Sequence, residues 1–300
     1  MPSKRSKIKK SEDEIIGEWV KQWSSDSPKI IGDDCAVLAS PPHACVPLLK
    51  TDAVIQGLHF SANDSLKWVG HKALARVLSD FAAMGGIPGA VVVAVGIPEN
   101  VNHSLISRAY KGMSELAERF QCKLVGGETT RSKVLQFTVS GIGWVKKGKQ
   151  VMRSGACAGD AIFVTGKLGG NYINGSKRHL KFEPRIVEGA WLAEHGYASA
   201  MIDLSDGLGK DLPRISTASN VSFKLFLEQI PLKRGITTGD AVNEGEDYEL
   251  LFTVPNQRKA ALLKNWKFDL PLTEIGQILD QDFAVEVGDL ILKGFDHFSK

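Results

Sequence analysis

Six short acidic segments punctuate this chain, most of them where an apolar run stops: Gly32-Asp33-Asp34, Lys50-Thr51-Asp52, Leu78-Ser79-Asp80, Gly126-Gly127-Glu128-Thr129, Asp203-Leu204-Ser205-Asp206 and Gly245-Glu246-Asp247-Tyr248. Strand-like runs that end this way, with helical patterns between them, favour an α/β (α+β) architecture. Gly, Ser and Thr around the acids let backbone come close, and carboxylates are hard oxygen ligands. Several converging on one pocket would bind Mg²⁺, and through it the phosphates of a nucleotide. A phosphate-handling enzyme of kinase or ligase type is the first hypothesis.

The chain has 300 residues and 43% apolar composition, enough for one large core or two ordinary ones. A formal net charge of +3 gives no global basic field that calls for nucleic acid. The run Lys4-Arg5-Ser6-Lys7-Ile8-Lys9-Lys10 is the local exception. It reads as a solvated, disordered tail over residues 1–10, with a nucleic-acid arm or part of an organelle-targeting signal as alternatives. The longest apolar stretch, Ala90 to Ile97, is far too short to span a bilayer, and no signal peptide is evident. Cys35, Cys45, Cys122 and Cys157 are scattered without a Cys-x-x-Cys pair, so neither a zinc site nor a disulfide framework is implied. A reducing cytoplasm suits them.

Ser11-Glu12-Asp13-Glu14 forms a capping box before a helix carrying Ile15, Ile16, Trp19, Val20 and Trp23. Short strands lead into Asp33-Asp34 and, from Cys45 to Leu49, into Lys50-Thr51-Asp52. A long helix is expected from Ser65 to Met84, stopping at Gly85-Gly86 and Pro88. Asp80 lies in its last turn, where the macrodipole is already negative, so a cation is needed beside it. Strand Ala90–Val95, a helix over 102–120 and strands Lys123–Val125 and Leu135–Trp144 follow. The chain then divides, with an N-terminal domain over 11–147 and a C-terminal domain over 148–300. The second half reads as strand Ala161–Thr165, a Gly/Asn-rich loop from Gly166, a helix after Pro184, strand Ala200–Ile202, helix Leu208–Ser219, strand Phe223–Leu227 and a helix near Asp240. It closes with strand Glu249–Val254, helix Gln257–Trp266 and strands near Ile275, Val285 and Ile291.

Phosphate-loop, dinucleotide-fold and protein-kinase motifs are absent, so metal-bound carboxylates would have to neutralise a triphosphate. Asp203-Leu204-Ser205-Asp206-Gly207 places two acids around a Ser after an apolar strand and at a helix start. There, backbone amides can hold phosphate while the acids hold metal. Gly126-Gly127-Glu128 either serves a ligand in the same way or is a glycine turn between strands. The three acids of Glu246-Asp247-Tyr248-Glu249 are costly unless cations counter them. His59 could contact substrate or simply pack.

These residues resemble the thiamine-monophosphate kinase family. The resemblance is carried by Ile31-Gly32-Asp33-Asp34-Cys35-Ala36, Thr51-Asp52, Gly57-Leu58-His59-Phe60 and the run from Lys72 to Gly85 containing Leu78-Ser79-Asp80-Phe81. Leu124 to Arg131, Arg153-Ser154-Gly155-Ala156, Ile202 to Leu208, Gly245 to Leu250 and Gly294-Phe295-Asp296-His297-Phe298 carry the rest, in family order. The resemblance implies a two-domain fold like aminoimidazole-ribonucleotide synthetase, its N-terminal domain forming a barrel across a homodimer and its C-terminal domain a separate α/β layer. It also implies ATP-dependent phosphorylation of thiamine monophosphate to thiamine diphosphate with several Mg²⁺ ions. By motif match Asp34, Thr51, Asp52, Asp80, Asp203 and Asp206 would be metal ligands, with Glu128 where the family carries an Asp. Tyr110, Gly127, Glu128, Arg153 and Ser205 would meet ATP; His59, Glu246 and Phe295 would meet the thiamine substrate.

Three departures stand out. Glu128 is one methylene longer than the family's Asp, Lys50 stands where Ser or Thr often contacts metal, and the loop from Gly166 to Lys181 is short. An ammonium cannot ligate Mg²⁺ but could replace the charge of one ion. No general base is expected, since the accepting phosphate is already ionised near neutral pH. Related branches that act in hydrogenase maturation or selenophosphate synthesis rely on a terminal or glycine-loop Cys not found here. A non-catalytic nucleotide-binding regulator is the rival from another class.

Overall fold

The computed structural model describes residues 40–99, 101–172 and 175–295, together with residues 17, 18, 36 and 38. The basic tail, the capping box, all of its helix but residues 17 and 18, Asp33, Asp34 and Asp296 to Lys300 lie outside the described residues. Contacts group the chain into two compact units. One contains Asp52–Leu74 and Ala90–Ser140; the other contains Ser40–Thr51, Ala75–Gly89 and what is described from Gly141 onward.

The first half of the chain runs β1 (Cys45–Ile55), α1 (Leu66–Ala83), β2 (Ile87–Ile97), α2 (His103–Arg119), β3 (Lys123–Arg131) and β4 (Gln136–Lys146). Its strands form a four-stranded sheet in the order β1-β4-β2-β3. The periodic stripe of α1 is buried as expected at Val69, Ala73, Leu74, Val77, Leu78 and Phe81. Three polar side chains join that burial: His71, Ser79 and the fully buried Lys72. β4 alternates buried and half-buried positions along nearly its whole length, the period of a strand with one face on the core.

The second half runs β5 (Ala161–Thr165), α3 (Ile186–His195), β6 (Ala200–Asp203), α4 (Leu208–Ser219), β7 (Ser222–Leu225), α5 (Thr238–Asn243), β8 (Leu250–Val254), α6 (Asn256–Asn265) and β9 (Leu272–Leu279). Its five strands lie in the order β6-β8-β5-β9-β7, and every neighbouring pair is antiparallel. β5 sits at the centre with all five residues buried, so both faces of the sheet are covered. Ile162 and Val164 join Leu208, Leu212 and Ile215 of α4 in one core cluster. Phe163 faces the other way; its ring stacks on Phe252 of β8 at 5.9 Å.

Three expected elements differ. β3 continues through Gly126 and Gly127 instead of turning there, because β2 pairs with it in parallel as far as Arg131. Near Val285 only an isolated bridge forms, Lys224 with Glu286, and the segment from Ile291 to Phe295 has no regular structure.

Candidate active site

β6 and β8 are antiparallel neighbours, with Asp203 opposite Leu250. The end of β6 therefore meets the start of β8, and two acidic segments separated by 38 residues of sequence come together. The Leu204 amide donates to the Glu249 carbonyl at 2.9 Å, and the Glu246 and Tyr248 amides donate to Ser205 and Leu204 carbonyls, both at 2.8 Å. Glu246 and Tyr248 are non-glycine residues held at φ of 68° and 52°, a costly backbone that this ladder fixes. The Phe295 amide joins the group by donating to the Asp206 carbonyl at 2.9 Å. Ser205, Asp206, Glu246 and Phe295 thus share one end of the five-stranded sheet.

The acids of the second segment have different tasks. Asp247 is buried, 2.8 Å from the Lys233 ammonium, and accepts from Asn171 Nδ2 and the Gly169 amide. Burial still pushes its carboxyl upward, against the pull of Lys233. Glu249 is gripped at both oxygens by the Arg185 guanidinium, at 2.8 and 2.5 Å, and takes a third bond from Thr165 Oγ1 at 2.7 Å. Glu246 lies 3.7 Å from His179 Nδ1. Cations do counter the first two acids, and both are committed to holding the segment in place.

Asp203 closes β6 and is buried. Ser79 Oγ of α1 donates to its Oδ2 at 2.6 Å. The next residue of α1, Asp80, is paired with Lys50 of β1 at 2.9 Å. Lys50, Asp80, Arg153, Ser154 and Asp203 line a cavity of about 550 Å³. Arg153 is placed by its backbone: the Met201 amide donates to the Met152 carbonyl at 3.0 Å, and Ser219 Oγ donates to the Arg153 carbonyl at 3.2 Å. Asp206 carries a 2.6 Å pair with Arg214 and a looser one, 3.8 Å, with Lys210. Gly207 caps α4 at φ 101°, a conformation side chains resist, and brings no side-chain acceptor to the first turn.

Sequence reasoning missed Asp211. Fully buried in α4, it accepts from the Asp206 amide at 2.9 Å and pairs with Arg214 at 2.5 Å. Burial, then the charge of Asp203, pushes its carboxyl up to about 7. Its signal was available: Asp211 lies on the stripe formed by Leu208, Leu212 and Ile215. Lys72 was missed in the same way.

In the other unit, His59 is buried, and its Nδ1 accepts from the Ile55 amide at 3.1 Å. Its carbonyl receives the buried Lys72 ammonium at 3.0 Å. Tyr110 is buried too, which drives its hydroxyl far upward. A Cβ on Gly127 would meet the Val93 carbonyl oxygen at 2.2 Å, so close strand packing itself demands glycine there. Glu128 beside it is exposed, opposite Ala94 in β2. Asp52 is half-buried and Thr51 exposed in β1, and Asp34 lies outside the described residues.

Among the described residues no three His, Cys, Asp or Glu side chains already converge on a metal position. The donor chemistry nevertheless fits Mg²⁺: Asp80 and Asp203 are hard oxygen donors lining one cavity. Protein cations hold Asp80 and Asp206 here.

Residues 32–145 match the family described as AIR synthase related protein, N-terminal domain. The fold is that of this class. Over 267 residues the chain is 35% identical to the thiamine-monophosphate kinase of Rhodopirellula baltica, covering 83% of each. The crystal structure of thiamine-monophosphate kinase from Stenotrophomonas maltophilia K279a superposes with a TM-score of 0.78 at 30% identity, covering 93% of this chain and 95% of that one. A structure of AaThiL complexed with AMPPCP and TMP superposes at 0.72 with 29% identity, covering 96% and 97%. The chain belongs to the thiamine-monophosphate kinase family.

Proposed function

We propose that this protein transfers the γ-phosphoryl group of ATP to thiamine monophosphate, giving thiamine diphosphate and ADP. The observation that carries this is a relative solved with AMPPCP and TMP whose structure covers 96% of this chain. The geometry adds support: Asp80 and Asp203 line one cavity with Lys50 and Arg153, and a strained Glu246 is held where the end of β6 meets the start of β8.

Both reactants are polyanions, and their repulsion is the first obstacle. Mg²⁺, when bound, supplies positive charge between them, and Asp34, Thr51, Asp52, Asp80, Glu128, Asp203 and Asp206 are the residues proposed to hold it. Arg153, Ser205, Gly127, Tyr110 and Glu128 are assigned to ATP. Glu246, His59 and Phe295 are assigned to the thiamine moiety, Phe295 by stacking its exposed ring on the cationic heterocycle. An oxygen of the thiamine phosphate attacks the γ-phosphorus as the bond to the ADP oxygen breaks. That oxygen is already ionised, so no general base is used, and catalysis is positioning and charge neutralisation.

The same reading makes the protein a homodimer working in the cytoplasm, with an N-terminal domain over 11–147 and a C-terminal domain over 148–300. No helix among the described residues is long and apolar enough to cross a membrane. The test is incubation of purified protein with ATP, Mg²⁺ and thiamine monophosphate, followed by chromatography. Thiamine diphosphate should accumulate one for one with ADP. ADP release without thiamine diphosphate would refute the assignment.

A further inference from the structure

Asp80 stands in the last turn of α1, a turn with no basic residue of its own. Its carboxylate adds to the negative end of the helix dipole, so that spot calls for a cation from elsewhere. β1 supplies one. Lys50 shares a strand face with Leu48, whose Cδ1 lies 2.5 Å from where a Cβ on Gly86 would stand, just beyond α1. That face of β1 is turned toward the end of the helix, and it places Lys50 Nζ 2.9 Å from Asp80 Oδ2. Both side chains are largely covered, 34% and 23% exposed, and both line the cavity that Asp203 and Arg153 share.

An ammonium has only donors, so Lys50 cannot itself ligate a metal. Mg²⁺ needs its oxygen at about 2.1 Å, and an ion on this carboxylate would stand within a few ångströms of a fixed positive charge. We propose that Lys50 is a built-in cation that takes the place of one divalent ion at Asp80, so that this protein loads one ion fewer with its nucleotide than it would with a neutral residue at position 50. The inference deepens the phosphoryl-transfer reading and rests on it.

The test counts bound Mn²⁺ per chain from the free-ion paramagnetic resonance signal, with AMPPCP saturating. Lys50→Thr and Lys50→Gln should each bind one more Mn²⁺ than the unaltered protein, whereas Lys50→Arg should keep its count. Asp80→Asn should remove the added ion from the Lys50→Thr protein. Equal counts in the unaltered and both neutral variants would overturn the proposal, as would an added ion that survives Asp80→Asn. Thiamine diphosphate formation is scored separately. Equal counts in a working kinase sink this inference alone; an added ion in a protein that makes no thiamine diphosphate sinks the functional assignment alone.

Discussion

Carboxylates that look alike in the sequence are separated by what surrounds them. Asp247 and Glu249 spend their oxygens on Lys233 and Arg185, whereas Glu246 between Gly245 and Asp247 is held in left-handed backbone and faces His179. Replacing Glu246 with Gln removes the charge proposed to meet the substrate and should raise KM for thiamine monophosphate about tenfold, with kcat little changed. Steady-state kinetics with both substrates varied would check this. An equal loss in kcat would instead place Glu246 in the chemical step. The cysteines give a second contrast, between the exposed Cys157 and the buried Cys122. Burial pushes the Cys122 thiol from 9.0 up to about 12. The folded state therefore keeps a proton that the unfolded chain releases above pH 9, and this contribution to stability falls as pH rises past that point. At pH 8 a thiol reagent should modify Cys157 in the native protein and spare Cys122 until denaturant is added, with peptide mass spectrometry as the readout.

At the scale of elements, β5 and α4 were legible to the residue, the one as a short apolar run bounded by Gly159-Asp160 and Gly166, the other by the helical period of its apolar stripe. β3 was not. Gly126 and Gly127 look like a turn, and only pairing with β2 explains why the chain stays extended there. The need for cations near the Gly245–Glu249 segment could be read from its charge. The partners could not, because Lys233 and Arg185 are placed by folding. Asp247→Ala leaves Lys233 facing a buried gap and should cost about 3–5 kcal/mol of stability, the scale for breaking a buried ion pair. Denaturant melts would show it. A loss under 1 kcal/mol would mean the pair is not holding the segment.

For the whole molecule, the sequence flagged Asp80 as needing a cation and Lys50 as a departure from the family, but nothing local joined the two observations. They meet because the part of β1 up to Thr51 and the end of α1 are packed into one unit. The same is true of Ser79 and Asp203, more than a hundred residues apart and 2.6 Å from each other. That contact ties the long helix to the sheet end where the proposed chemistry lies, and it makes Asp203 the most exacting position to change. The decisive measurement is thiamine diphosphate formation by Asp203→Asn beside the unaltered protein, with circular dichroism melting of both. Asn keeps an oxygen for Ser79, so the melting curves should agree, while turnover should fall on the order of a hundredfold or more, the loss of about 3 kcal/mol expected for one preorganised charge. Near-full turnover by Asp203→Asn would contradict the account.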